Sequence, residues 1–280
     1  MNTWLITGAS SGLGAALARA VLSQGDNAVV TARNADHLSD LAASYPDTAL
    51  PVALEVSDHN QVVAAVQTAI ARFGQIDVLV NNAGHGYRAA VEEASVDEVD
   101  ELFATNFFGP VDLIKEVLPE MRSRRSGTIV NVSSIGAPRS NPASGYYTAT
   151  KAALEGVSDA LNREVTPLGI RVIVVEPGAF RTDFSGRSLL QSNKVIDDYA
   201  DTAGKRRKEN DDTHGTQQGD PAQGAQAIIS TVEGDQAPFR LLLGSDAIKI
   251  VRQEYRERID EIDQWAHVST TTDFDGHDES

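Results

Sequence analysis

The sequence predicts a doubly wound α/β fold: a mostly parallel seven-stranded sheet with helices on both faces. Two observations carry that prediction. Seven short apolar runs alternate with helix-length amphipathic segments, and parallel neighbours in such an arrangement need crossover helices. A glycine cluster also joins the first run to the first helix, at Gly8, Gly12 and Gly14. The chain has no internal repeat of solenoid period. With 280 residues, 41% apolar and 23% charged, it can bury a core that needs no disulfide or metal staple.

Taken in order, Thr3–Thr7 is the first β-rich run, and apolar residues then recur at helical spacing through Leu13, Ala16, Leu17, Ala20 and Val21. Gly25 stops that helix. Ala28–Ala32 is the second run, followed by a helix over Ala35–Ser44. Pro51–Val56 is the third, with a helix from about His59 to Phe73 capped by Asp58. Asp77–Val80, Ile129–Val132, Val172–Val175 and Arg240–Leu243 complete the set. Longer helical stretches cover 96–122 and 146–165, and a helix-like stretch covers Ala247–Trp265.

The pattern fails in two places. The segment 180–219 is polar and rich in Gly, Asp, Gln and Asn, as expected of a lid over a ligand. The last residues, 269–280, read as a flexible acidic tail. The expectation is one catalytic domain over 1–268. Forty acidic residues against 24 basic ones give a net charge of −16, which repels nucleic-acid backbones. No apolar run is long enough for a membrane span. The N-terminus lacks the basic region of a signal peptide. The absence of cysteine excludes a thiolate nucleophile and fits a cytoplasmic location. His85, His214, His267 and His277 share no metal-ligand spacing, so no metal is expected.

The run Thr7-Gly8-Ala9-Ser10-Ser11-Gly12-Leu13-Gly14 lies between a strand and a helix. Its glycines permit a sharp turn and close approach to a pyrophosphate, and the following helix presents free N–H groups and a positive dipole end. The spacing resembles the T-G-x-x-x-G-x-G of classical short-chain dehydrogenases/reductases. Eighteen residues beyond Gly14, where a carboxylate would hold a ribose 2′-hydroxyl, stands Ala32, followed by Arg33. A guanidinium there attracts a 2′-phosphate, so NADP(H) is expected over NAD(H).

Tyr147 and Lys151 are four residues apart on a helix and so share a face. An unperturbed phenol, with pKa about 10, is a weak acid–base catalyst near neutrality, and a nearby cation lowers that value. Ser134 lies thirteen residues before Tyr147 at the end of the fifth run, where a substrate would lie. Asn106 stands in a helical stretch, an unfavoured place for an amide. Asn81-Asn82-Ala83-Gly84 ends the fourth run, and Pro177-Gly178-Ala179-Phe180-Arg181-Thr182 ends the sixth.

On these motifs the chain resembles the classical short-chain dehydrogenase/reductase family over about residues 3–185. The resemblance implies a Ser134–Tyr147–Lys151–Asn106 tetrad. In it Tyr147 would be the general acid, Ser134 would hold the carbonyl oxygen, and Lys151 would lower the tyrosine pKa and bind ribose. Asn106 would support a water chain to Lys151. Asn82, Ala83 and Gly84 would line the adenosine side, and Pro177, Gly178, Phe180 and Thr182 the nicotinamide. Glu55-Val56 replaces the family's frequent Asp-Val, which leaves the adenine contact open.

His85, Tyr87, Ile135, Phe180 and Phe184 are expected to wall a partly apolar pocket for a ketone or secondary alcohol. The length beyond the seventh run is more like carbonyl reductases and hydroxysteroid-dehydrogenase-like members than carrier-dependent reductases. A 3-oxoacyl (carrier or CoA) reductase and a catalytically inactive cofactor-sensing protein are the alternatives. The basic island Lys205-Arg206-Arg207-Lys208, beside Glu209, Asp211 and Asp212, reads as a solvated part of the lid. The resemblance implies a homodimer or homotetramer.

Overall fold

The computed structural model describes residues 1–186, 188–208 and 215–274. Within them the strands are β1 Thr3–Ile6, β2 Asn27–Ala32, β3 Ala49–Ala53, β4 Val78–Asn81, β5 Gly86–Arg88, β6 Gly127–Val132, β7 Ile170–Pro177, β8 Leu189–Gln191 and β9 Arg240–Leu243. The α-helices are α1 Gly12–Ser23, α2 Ser39–Ser44, α3 His59–Phe73, α4 Val96–Phe103, α5 Gly109–Arg124, α6 Gly145–Val165, α7 Pro221–Glu233 and α8 Ser245–Ser269. Seven strands form one sheet in the order β3-β2-β1-β4-β6-β7-β9, every neighbouring pair parallel. The expected doubly wound fold is therefore present.

Alternation along the strands sorts side chains into two layers. Trp4 and Ile6 face α1 and α7, with Leu17, Val21, Ile228 and Ile229. Leu5, between them, faces α3, α5 and α6, with Val62, Val66, Leu113 and Leu161. Burying each such side chain contributes about 1.5–3 kcal/mol. The strand order reverses between β1 and β4, and the crevice at their carboxyl ends is where a doubly wound sheet binds ligands.

Local differences from the sequence reading have physical causes. The third run ends earlier than Pro51–Val56, because Leu54 makes a last bond to the Ala32 carbonyl and Glu55 then turns away. The segment expected as a helix over 35–44 begins as a 3₁₀ turn, Ala35–Leu38, whose first N–H groups include that of Asp36, bonded to the Asn34 side chain. The stretch 96–122 is two helices joined by a π-helical turn, Ala104–Phe108. Helix α7 was not expected, although Asp220 and Pro221 are a ready start signal; the Asp220 side chain accepts from the Ala222 N–H.

The beginning of the expected tail is ordered helix. Helix α8 runs to Ser269 and a 3₁₀ turn covers Thr270–Thr272. Inside 180–219, β8 pairs with β5 as a small parallel sheet. Arg187, Glu209, Asp211, Asp212 and His214 from that segment, and His277 from the tail, lie outside the described residues. No helix among the described residues is long and apolar enough to cross a membrane.

Candidate active site

The glycine cradle is held by backbone and amide groups. Gly8 and Gly12 adopt φ of +65° and +56°, the left-handed region glycine favours. A Cβ on Gly14 would lie 2.5 Å from the Gly8 carbonyl oxygen, so the turn closes only with glycine there. Thr7 Oγ1 accepts from the N–H groups of Asn82 and Ala83 at 2.9 Å, and Asn82 Nδ2 donates to the Thr7 and Gly8 carbonyls. The β4 loop is thereby tied to the cradle. At the start of α1 the Ser11 side chain makes no cap bond, and the first turn holds no acid. Its N–H groups and positive dipole end suit an anion, and the cradle fits a nucleotide pyrophosphate.

Thr182 closes on the cradle, 3.3 Å from where a Gly12 Cβ would be. Ser10 is exposed and Leu13 packs near Gly224 of α7. Pro177 accepts from the Ile135 N–H, and Gly178 donates to the Leu243 carbonyl. Arg33 is exposed just past β2, and its charge reaches His85. Val56 is buried, while the Glu55 carboxylate accepts from the Ser57 N–H and hydroxyl. The charge expected to meet adenine is thus turned onto its own loop.

Three chain segments bring the expected tetrad together. Helix α6 carries Tyr147 and Lys151, both buried. The Lys151 ammonium lies 5.9 Å from the Tyr147 ring centroid and donates to the Val132 carbonyl at 2.8 Å. Ser134, just past β6, accepts from the Gly136 N–H at 3.0 Å and hydrogen-bonds to Tyr147. Asn106 is fully buried in the π-helical turn; π-turns inside helices are frequent at functional sites. Its amide accepts from the His85 N–H at 3.0 Å and donates to the His85 carbonyl at 2.9 Å and to Thr150 Oγ1. A Cβ on Gly84 would meet both Asn106 Oδ1 and Lys151 Nζ, so the three converge.

Burial sets the electrostatics. It pushes the Lys151 ammonium down to about 8, with Glu155 opposing. It raises the Tyr147 phenol, with the Ser134 hydrogen bond and the Arg88 charge opposing. Besides the Lys151 ammonium near the ring, a second cation, Arg88 of β5, bears on the phenol. Sequence reading missed it, because an isolated arginine in a three-residue strand carries no pattern. Glu155 did carry a signal, standing four residues beyond Lys151 on the same helix face. It accepts from Ser133 at 2.6 Å and, with Glu176 of β7, meets Arg240.

The expected pocket residues divide. Phe184 packs with its ring centroid 5.9 Å from that of Tyr147 and stands against Gly86. Ile135 adjoins Ser134, and His85 is half-buried, with burial lowering its imidazole. Tyr87 points elsewhere: it is buried with Leu102 and Tyr146, and its hydroxyl donates to Glu98. Phe180 packs beneath the cradle against Gly224. A cavity of about 250 Å³ between the loop before α6 and the turn at 200–204 is lined by Ala89, Ala90, Pro142, Ala143 and Ala203. None of the tetrad lines it.

The family model for short chain dehydrogenases matches residues 2–192, and the chain belongs to that family. It is an oxidoreductase of the family. An oxidoreductase of Botryotinia fuckeliana, BOA17, is 38% identical over 247 residues, covering 88% of this chain and 90% of that one. The crystal structure of a short-chain dehydrogenase from Streptomyces avermitilis superposes with a TM-score of 0.91 at 41% identity, over 98% of this chain and 100% of that one. Two further solved relatives, each 27% identical, hold cofactors. One is an alcohol dehydrogenase from Thermococcus sibiricus complexed with 5-hydroxy-NADP, with a TM-score of 0.71 over 87% of this chain and 96% of that one. The other is a 3-ketoacyl-(acyl-carrier-protein) reductase from Brucella melitensis complexed with NADH, with a TM-score of 0.70 over 86% and 96%. A nicotinamide cofactor is thus supported by both relatives.

Proposed function

We propose that the protein is an NADP(H)-dependent carbonyl reductase, interconverting a ketone or aldehyde and an alcohol with Tyr147 as general acid and base. The observation that carries this reading is the convergence of Ser134, Tyr147, Lys151 and Asn106 beside a glycine cradle that fits a pyrophosphate. Gly8, Ser10, Ser11, Gly12, Leu13 and Gly14 would hold the pyrophosphate, and Arg33 a 2′-phosphate. When bound, the nicotinamide supplies the hydride or takes it up. The segment 180–219 is read as a cover over the substrate, and 269–280 as a tail. A cytoplasmic location rests on the lack of cysteine, and a homodimer or homotetramer on the family.

The side chains supply the rest. With its phenol raised by burial, Tyr147 is protonated near neutral pH and can donate to a carbonyl oxygen. Ser134 Oγ accepts from Gly136, which leaves its own hydrogen for the same oxygen. Lys151, held down to about 8, can pass a proton to the phenolate after each turnover. Phe184 and Ile135 exclude water on the substrate side.

The reading is tested by NADPH and NADH oxidation against a ketone panel, with wild type and Tyr147→Phe. Reduction with NADPH is expected to fall about 10³-fold in the variant, while NADPH binding, read by fluorescence, is retained. Undiminished turnover in Tyr147→Phe would overturn the mechanism. No turnover of any carbonyl or alcohol by wild type would overturn the reading itself.

A further inference from the structure

Helix α8 leaves an apolar face uncovered. Of its 25 residues only Ala247 and Val251 are buried, and from Tyr255 to its end every residue is exposed. Ile248, Tyr255, Ile259, Ile262 and Ala266 follow at steps of seven, four, three and four, so they form one stripe continuous with the buried edge. At 1.5 Å per residue the stripe is about 27 Å long. Ile259 is 56% exposed, Ile262 66% and Trp265, at the margin, 53%, a contiguous patch rather than scattered single residues. One side of the helix is already seated on its own chain. Arg258 donates to the Pro138 carbonyl, and Glu254 pairs with Arg258 at 2.8 Å and with Arg139 at 3.9 Å. The residues outside the described ones, 187, 209–214 and 275–280, hold no apolar side chain with which to cover the stripe.

The other flank of the stripe selects the occupant. Arg252, Arg256, Asp260 and Asp263 are all exposed and, at steps of four, four and three, share one ridge. That ridge is basic in its first half and acidic in its second. Two copies of α8 packed antiparallel about a two-fold axis near residue 258 bring the same flank of each together. Arg252 then meets Asp263 of the second copy and Arg256 meets its Asp260, each pair occurring twice. Tyr255 packs on Ile262 of the second copy, and the two Ile259 side chains meet near the axis. A parallel pair would instead set the ridge against the opposite flank, where Glu254 and Arg258 are engaged with residues 138 and 139. A lipid surface fits less well. Helices that lie on membranes carry a basic polar face, whereas α8 has four Lys and Arg against six Asp and Glu.

We propose that α8 is a self-association surface, through which two copies of this chain pair antiparallel. The stripe centred on Ile259 forms the core of the contact, and Arg252–Asp263 and Arg256–Asp260 pairs between the copies form its rim. The apolar stripe supplies the affinity, and the rim charges fix the orientation and the register. The inference is independent of the reaction catalysed.

Sedimentation velocity of the full chain over a range of concentrations tests it. Wild type should sediment as a dimer, or as a tetramer if a second face also pairs. Ile259→Asp changes an exposed position and should raise the dissociation constant about tenfold or more, with circular dichroism unchanged. Arg256→Glu and Asp260→Arg each set like charges against each other between the copies, so each alone should weaken the assembly. An equimolar mixture of those two variants should restore it, because every altered charge then meets its opposite in the other chain. A contact within one helix could not give that rescue. A wild type that stays monomeric throughout, or an Ile259→Asp variant that assembles as wild type does, would overturn the surface. A mixture no better assembled than its separate components would overturn the antiparallel pairing. A monomeric wild type that floats with phosphatidylcholine–phosphatidylserine vesicles, and is released by Ile259→Asp, would overturn it too and assign the stripe to lipid.

Discussion

The cofactor half and the substrate half of the cleft are built on different principles. Around the cradle the groups facing a ligand are backbone N–H donors, glycines and an amide, fixed by β1, α1 and β4 and cross-linked by Thr7 and Asn82. Around Tyr147 they are side chains: Ser134 past β6, Lys151 one turn along α6, and Phe184 from the 3₁₀ turn Asp183–Ser185. A pyrophosphate is the same in every nucleotide, so backbone groups at one helix end serve it. A substrate differs between enzymes, so its half is assembled from side chains that can change without disturbing the sheet.

The largest of these effects on the cleft is expected where the cofactor half is proposed to read a 2′-phosphate with a side chain. Arg33→Asp replaces an exposed cation by an anion at the mouth of β2. Under the NADP(H) reading, kcat/KM for NADPH should fall at least 100-fold, about 3 kcal/mol, with NADH little changed. Steady-state kinetics with both cofactors checks this. Equal loss with both would mean that Arg33 supports the loop, and the contrast between backbone and side-chain recognition would lose its specificity element.

That division also explains what the sequence could reveal. The cradle was readable because backbone geometry demands glycine: Gly8 and Gly12 have positive φ, and a side chain on Gly14 would strike the Gly8 carbonyl. Tyr147 and Lys151 were readable because helix geometry makes a four-residue step a contact. Strands β5 and β8 were not, since three residues are too few to show a period and their pairing spans a hundred residues. Of the aromatic residues expected in the pocket, composition could not say which way each points. Phe184 faces Tyr147, Tyr87 faces the core, and Phe180 supports the cradle. Helix α7 was hidden behind a long polar segment despite its Asp220–Pro221 start.

A buried acid of β7, beside Arg240, has its effect on stability instead. Glu176 is buried with an Oε1 that has no hydrogen bond, 3.5 Å from Arg240 and close to Glu155 and Tyr255. Burial first and Glu155 second push its carboxyl up to about 7, against Arg240. A carboxyl raised on folding contributes its full stability below the unfolded value, near 4.3, and loses it as pH rises through the folded one. Wild type should therefore lose about 3–4 kcal/mol relative to Glu176→Gln between about pH 4.5 and 8. Denaturant melts of both proteins across that range measure the difference, which also isolates Glu176 from groups common to both. A flat difference would mean that Glu176 stays ionised beside Arg240.

The smallest effect sharpens the substrate half. Tyr87 and Phe184 were expected to share a wall, yet the Tyr87 hydroxyl donates to Glu98 Oε2 at 2.9 Å. Glu98 also closes the capping box that starts α4, accepting from the Ser95 N–H while the Ser95 hydroxyl accepts from the Glu98 N–H. Tyr87→Phe removes one donor and leaves that carboxylate its other partner, so no buried acceptor is orphaned and the loss is one net hydrogen bond, about 1 kcal/mol. For a chain of this size that lowers Tm by about 2–4 °C. Calorimetry should show the drop, and KM for the best carbonyl substrate should stay within about twofold, since losing one hydrogen bond outside the cleft leaves ground-state binding intact. Phe184→Ala should do the reverse, raising KM while Tm barely moves, because the side chain is partly exposed and its ring faces Tyr147. A tenfold rise in KM for Tyr87→Phe at unchanged Tm would put Tyr87 on the substrate, and the two aromatic residues would then be one wall after all.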